Sequence, residues 1–259
     1  MHLLRTSASV FAILAGVSLS PAAAFTQRAD PCADAPTPAQ HVFACTVVIE
    51  SGASDSTKVK IAYVNRGLAY FATNDLGKAI SDFNTAIALA PQDADAYEAR
   101  AIAFASERDY ERAIADYRKA INIDPLATRA YNNLANLYEA EGDFDGAIAN
   151  YNRALEISPN EPRLYFNRGN AFKALGRRKD AIRDYNRTIA LDGKFLSAYI
   201  ARGNARAAAG DVQSAEADFD HVLEVDPMNN AAIADKLALG RARGALLQSP
   251  SSSIVTTSK

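Results

Sequence analysis

The side chains able to do acid–base or metal chemistry are few and far apart. The histidines are His2, His41 and His221, and the cysteines are Cys32 and Cys45. A hydrolytic triad needs a nucleophile, a base and an orienting acid within hydrogen-bond reach. His41 and His221 sit in separate terminal regions, so no histidine pair forms. Asp218 and Asp220 beside His221 come nearest to a metal-ligand set, but residues two apart on a helix point to different sides. No glycine-rich loop that could cradle phosphate occurs, and two cysteines are too few for a multi-cysteine cluster. With 28 Lys and Arg against 30 Asp and Glu, the formal charge is −2. A general nucleic-acid binder is normally strongly basic. The expectation is a non-catalytic chain with no metal, no cofactor and no nucleic-acid partner.

The cysteines take their meaning from the first residues. Arg5 precedes an apolar run, Ala8 to Leu19; Pro21 breaks it, and Ala22-Ala23-Ala24 places small residues before Phe25. This is the layout of a secretory signal peptide cut after Ala24. The run of about twelve residues falls short of the roughly 18 a membrane-spanning helix needs. The mature chain is expected in the periplasm or secreted, without stable membrane insertion. Export would put Cys32 and Cys45 where disulfides persist. A bridge would close a loop of about thirteen residues, worth on the order of 3 kcal/mol by chain entropy. It would pin the segment around Pro31 to a helix over 37–51. Two separate buried thiols are the other reading.

The elements that position everything else are helical. Hydrophobic residues make up 49% of the 259 residues and charged ones 22%, an ordinary globular balance. Tyr63, Tyr97, Tyr131, Tyr165 and Tyr199 are spaced 34 residues apart, and Ala79, Ala113, Ala147, Ala181 and Ala215 keep that step. So do the aromatics Phe83, Tyr117, Tyr151, Tyr185 and Phe219, and the small residues Gly67, Ala101, Ala135, Gly169 and Gly203. Series in phase at one period mark an internal repeat. In the unit 128–161, Tyr131, Leu134, Ala135 and Tyr138 share one helix face. Gly142 can stop that helix and Asp143 can cap the next. Phe144, Ala147, Ile148, Tyr151, Ala154 and Leu155 form the second buried stripe, and Pro159 ends it. Arg108-Asp109 lacks the turn glycine, a weaker stop. One hairpin cannot bury its own apolar face, so the units must stack.

These residues resemble the tetratricopeptide repeat family, whose unit is a 34-residue antiparallel helix pair. The resemblance covers 60–229, with units at 60–93, 94–127, 128–161, 162–195 and 196–229. Thr188, Arg206 and Glu216 depart from the pattern in the last two units. The fold class expected is all-α, a right-handed α-α superhelix with capping helices. Residues 25–59 hold a degenerate half-repeat, 230–247 a closing helix, and 248–259 a disordered tail.

The resemblance implies that first helices line a concave groove that binds a peptide or a partner's segment. The corresponding places carry Asn65, Arg129, Asn132, Asn133, Asn136, Arg163, Asn167, Asn170, Lys173 and Asn204. Asparagine is a poor helix former, so its recurrence asks for a reason. Amides can clamp a peptide backbone whatever its sequence, with Arg129, Arg163 and Lys173 selecting an acidic group. Bonding within the solenoid, or facing water, is the other account. The unit 162–195 has nine Lys and Arg against three acids. Arg177, Arg178, Lys179, Arg183 and Arg187 should face outward, as a solvated face or as a dock for an acidic protein, glycan or membrane head group.

Overall fold

The computed structural model describes Cys32, residues 35–51 and residues 55–248, with side chains as far as Arg241. The expected signal peptide, Pro31 and the tail beyond Gln248 lie outside the described residues. Among those residues there are only α-helices, and they divide into two compact units between Pro159 and Asn160. The first holds α1 (Pro38–Glu50), α2 (Ser56–Ala72), α3 (Leu76–Leu89), α4 (Ala94–Ser106), α5 (Tyr110–Ile123), α6 (Thr128–Glu141) and α7 (Phe144–Ile157). The second holds α8 (Pro162–Ala174), α9 (Arg178–Leu191), α10 (Leu196–Ala208), α11 (Val212–Val225) and α12 (Asn230–Gln248). The architecture is an all-α solenoid of stacked helical hairpins.

Each hairpin is a leading helix, a tight turn and a trailing helix. One residue in every turn has positive φ: Asn74 (61°), Arg108 (63°), Gly142 (83°), Gly176 (72°) and Gly210 (85°). For arginine that conformation costs roughly 1–2 kcal/mol, because Cβ crowds the following carbonyl. Arg108 adopts it because its surroundings over-determine the turn. The amide of Asp109 donates to the Phe104 carbonyl at 2.9 Å, closing the same six-residue ring that Asp143 closes on Tyr138. Asp75, Asp109, Asp143 and Asp211 then cap the trailing helices, each accepting from the amide three residues on. At the corresponding place in the fourth hairpin stands Arg177, which makes no capping bond.

The hairpins close on the aromatic series. Phe83, Tyr117, Tyr151, Tyr185 and Phe219 are all buried. A β-carbon on Gly67, Gly169 or Gly203 would come within 2.6–2.7 Å of the ring it faces, so the small residues set how near the two helices lie. The alanines at 79, 113, 147, 181 and 215 are completely buried. Thr188 is accommodated in the core because its hydroxyl donates to the carbonyls of Asp184 and Pro162, at 3.0 and 3.2 Å.

Between hairpins, each trailing helix packs on the next leading helix within its unit. Leading helices also touch, α2 with α4 and α8, α10 and α12 in turn, more closely than any two trailing helices do. They form the inner wall of each unit. At the N-terminal end, Thr37 caps α1, and Cys45 on α1 is bonded to Cys32, both buried against Ala62 of α2. No helix among the described residues is long and apolar enough to cross a membrane.

Candidate functional site: the wall of leading helices

The wall is held by an ionic series that the reading of the sequence missed. Arg66, Arg100, Arg168 and Arg202 stand at one place of their leading helices, and Asp82, Asp116, Asp184 and Asp218 face them from the trailing helices. Each pair is a fork: Arg66 Nε and Nη2 reach the two carboxylate oxygens of Asp82 at 2.8 Å, and Arg168 reaches Asp184 at 2.7 and 2.8 Å. Each guanidinium also lies over the tyrosine one turn earlier, 5.3–5.6 Å from the ring centres of Tyr63, Tyr97, Tyr165 and Tyr199. They also reach back to the preceding trailing helix, Arg66 to Thr46, Arg100 to Asn84 and Arg202 to Asn186. One side chain thus ties three helices. Hydrogen bonding to Asp82 and to Asp116 raises Arg66 and Arg100 above the ordinary guanidinium value. The third hairpin carries Leu134 and Asn150 at these places, where the Asn150 amide donates to the Gly146 carbonyl. The signal was the spacing of 16 residues between arginine and aspartate, kept at the 34-residue step.

Several of the asparagines bond within the solenoid. Asn133 and Asn136 are buried. The Tyr151 hydroxyl donates to Asn136 Oδ1 at 2.5 Å, and that of Tyr185 donates to Asn170 Oδ1 at 2.9 Å. The Asn133 side chain hydrogen-bonds the Tyr117 hydroxyl, and its Oδ1 accepts from the Asn132 amide at 3.2 Å. In the fifth hairpin the ring is Phe219, which has no hydroxyl, and Asn204 donates to Asp235 of α12 at 2.7 Å. A buried hydroxyl needs a partner, so these amides serve the repeat's own tyrosines and its end helix. Asn65 and Asn167 are half-buried.

Arg129 is committed as well. It pairs with Glu98 at 3.1 Å and Asp95 at 3.8 Å on α4. Burial pushes the Glu98 carboxyl up, with Arg129 opposing. Near the other end of α6, burial raises Glu139 to about 7, against a hydrogen bond from Tyr151 at 3.2 Å. A protonated Glu139 can donate to that hydroxyl while the hydroxyl donates to Asn136.

Arg163 and Lys173 of α8 differ. Both are exposed, and among the described residues neither is held in an ion pair. On the outer side, Arg177 and Arg183 share Asp180, at 2.9 and 2.8 Å. Arg187 reaches Asn160 and lies over Tyr165, while Arg178 and Lys179 are exposed. Asp218 is enclosed by Arg202 and Arg206, and Asp220 pairs with Lys236, so the carboxylates near His221 are occupied by cations. No group of metal-ligating side chains occurs among the described residues.

Stacked hairpins with this buried series define a helical-repeat protein. Tetratricopeptide repeat models match residues 64–126 and 166–232, with further repeat models over 135–176 and 116–149. The chain belongs to the tetratricopeptide repeat family. Among solved structures it is similar to YrrB, described as a TPR protein with an unusual peptide-binding site, at 20% identity and TM-score 0.62, covering 75% of this chain and 98% of that one. It is also similar to MamA from Desulfovibrio magneticus (18%, TM-score 0.62, covering 68% and 98%) and to PilF from Pseudomonas aeruginosa (19%, TM-score 0.60, covering 74% and 95%). No curated protein matches the chain in sequence.

Two outcomes follow from the buried charges. Arg100→Ala strands the Asp116 carboxylate and should cost about 3–5 kcal/mol in urea unfolding. The third hairpin's own solution, Arg100→Leu with Asp116→Asn, should cost under about 2 kcal/mol, since it removes both charges together. If the double exchange is as damaging as the single, the pair is not what holds the hairpin. For Glu139, the folded chain keeps a proton between the ordinary value of 4.5 and about 7 that the unfolded chain has lost. Stability should therefore fall as pH rises through that window, by on the order of 2–3 kcal/mol in all. Glu139→Gln should remove that loss in a pH series of melts.

Proposed function

We propose that this chain is a non-catalytic protein-interaction module that binds an extended partner segment along its inner wall, with an acidic group of that segment on Arg163 and Lys173. The carrying observation is the contrast on the wall. Arg129 already has Glu98 and Asp95, whereas Arg163 and Lys173 project from α8 without an acid among the described residues. Placed at opposite ends of that helix's exposed face, they offer donors to a side-chain or terminal carboxylate. The peptide-binding site described for YrrB, which shares the fold, supports a peptide as the class of ligand. Random-peptide display on the full chain tests this. The selected peptides should share an Asp, Glu or free terminal carboxylate, and Arg163→Ala with Lys173→Ala should abolish their binding. Peptides without any such group, or binding that survives the double variant, would overturn it.

A second reading uses the outer face of the fourth hairpin, to dock an acidic protein, glycan or membrane surface. It is favoured by the run of exposed cations Arg177, Arg178 and Lys179 at the start of α9, where Asp180 pairs with Arg177 and Arg183 and leaves Arg178 and Lys179 to the surface. In the display experiment, loss of binding on Arg178→Glu, Arg183→Glu and Arg187→Glu alone would select this reading.

We also propose that the chain works outside the cytosol, after cleavage following Ala24. The Cys32–Cys45 bond supports this, since such bonds persist in oxidising compartments. The purified, exported protein should start at Phe25 and show no free thiol on denaturation without reductant. Two titratable thiols would remove the support.

A further inference from the structure

The second unit ends on half a hairpin. α12 continues the register of the leading helices: counted from Asn230, Lys236 stands where Arg66, Arg100, Arg168 and Arg202 stand, and Leu237 where the small residues stand. The correspondence is physical as well as numerical. Lys236 pairs with Asp220 of the preceding trailing helix, as Arg202 reaches Asn186 of its own preceding helix. α12 runs on to Gln248, past the point where every other leading helix turns. Between α11 and α12 lies a cleft of about 560 Å³ whose apolar walls include Val212, Leu223, Ile233 and Leu237. Leu237 is 56% exposed, whereas Ala232 nearer the start of the same helix is fully buried. In the complete hairpins the same space is filled by the trailing helix.

We propose that this cleft takes an amphipathic helix from a partner protein, lying where a trailing helix would complete a further hairpin. The chain's own repeats state the chemistry of that helix. In four hairpins the arginine meets an aspartate from the trailing helix, and Arg66, Arg100 and Arg202 meet a partner on the preceding one as well. Lys236, paired with Asp220 on the preceding helix, thus has donors left for a carboxylate on the incoming helix, and exposed Arg241 at the rim of the cleft offsets Glu216 on its wall. The next residue of the trailing helix is the buried aromatic, packed on Gly or Ala. Leu237 already fills part of that space, so the incoming residue is small. Alanines three or four residues to either side let the helices approach, as in the other hairpins. A second copy of this chain cannot lend such a helix. Its trailing helices are sealed in their own stacks, with Ala113, Ala147 and Ala181 fully buried, and the corresponding side of α1 is closed by Cys32 on Cys45. The site is separate from the inner wall and does not depend on it.

The probe is a labelled, side-chain-stapled peptide with the sequence of α5 (Tyr110–Ile123) carrying Tyr117→Ala, titrated with the full chain by fluorescence anisotropy. Saturable binding is expected. Lys236→Glu or Leu237→Asp in the protein should each weaken it by about tenfold or more. A peptide carrying Asp116→Lys should recover binding to the Lys236→Glu protein. Arg163→Ala with Lys173→Ala should leave it unchanged. The proposal is overturned if binding is absent, or indifferent to Lys236 and Leu237, or lost with Arg163 and Lys173. It is equally overturned if removal of residues 249–259 raises affinity about tenfold, which makes the chain's own tail the occupant. A dimer in sedimentation that Leu237→Asp dissociates would assign the cleft to a second copy instead.

Discussion

The structure depends on a charge that four of the five hairpins bury. An arginine on the leading helix can be desolvated only if its fork of donors is matched, because an unpaired buried charge costs several kcal/mol. Matching it fixes the azimuth of the trailing helix, since both carboxylate oxygens of Asp82, Asp116, Asp184 or Asp218 must lie in the guanidinium plane. The tyrosine beneath the guanidinium and the amide or hydroxyl behind it then fix the preceding hairpin too. Apolar contact alone would tolerate small rotations of one helix on another. A bidentate pair does not. The third hairpin shows the alternative: Leu134 and Asn150 change together, so neither an isolated base nor an isolated acid is buried there.

The same requirement decides what is left for recognition. A tyrosine at the core place carries a hydroxyl into the interior, and an asparagine on the leading helix takes it, as Asn136 does for Tyr151 and Asn170 for Tyr185. Where the core ring is Phe83, the corresponding leading-helix residue is Leu68, and no amide is needed. Glu98 and Arg129 satisfy one another across two leading helices. Most polar groups on the first unit's wall are thereby engaged by the solenoid itself. What stands out on the second unit's wall is Arg163 and Lys173, because their charges are not cancelled locally.

The sequence made the period, the helix pairs and the caps legible, because Gly142, Asp143 and Pro159 each act through local backbone physics. The Arg–Asp series is hard to see although it repeats as regularly as the tyrosines. Arginine and aspartate are ordinary surface residues, and nothing in their type says that they are buried until the hairpin brings them together. The asparagines are hard to read for a related reason. Low helix propensity marks them as purposeful, which is correct, but the purpose lies in the tyrosine fifteen residues further along the chain, at Tyr151 for Asn136. Arg129 reads as a free cation in sequence because its acids sit in the preceding unit of the repeat. Arg108 holds its turn without glycine because backbone bonds on both sides outweigh a conformational cost of roughly 1–2 kcal/mol.

A repeat protein offers an internal control that a single-copy fold lacks. Each place is occupied five times under nearly the same packing, so the residue a place requires can be told from the residue one unit happens to carry. Where all units agree, or change in matched pairs, the cause is structural. Arg177 in place of a capping aspartate is such a matched change, since Asp180 stands where Lys78 and Arg112 pair with their caps. Where one unit departs without a matching change, as with Leu237 in place of a small residue, packing supplies no reason for the departure. The exposed charges on α8 and the open face of α12 belong to this second kind. They are the places where a partner, not the solenoid, would account for the residue found there.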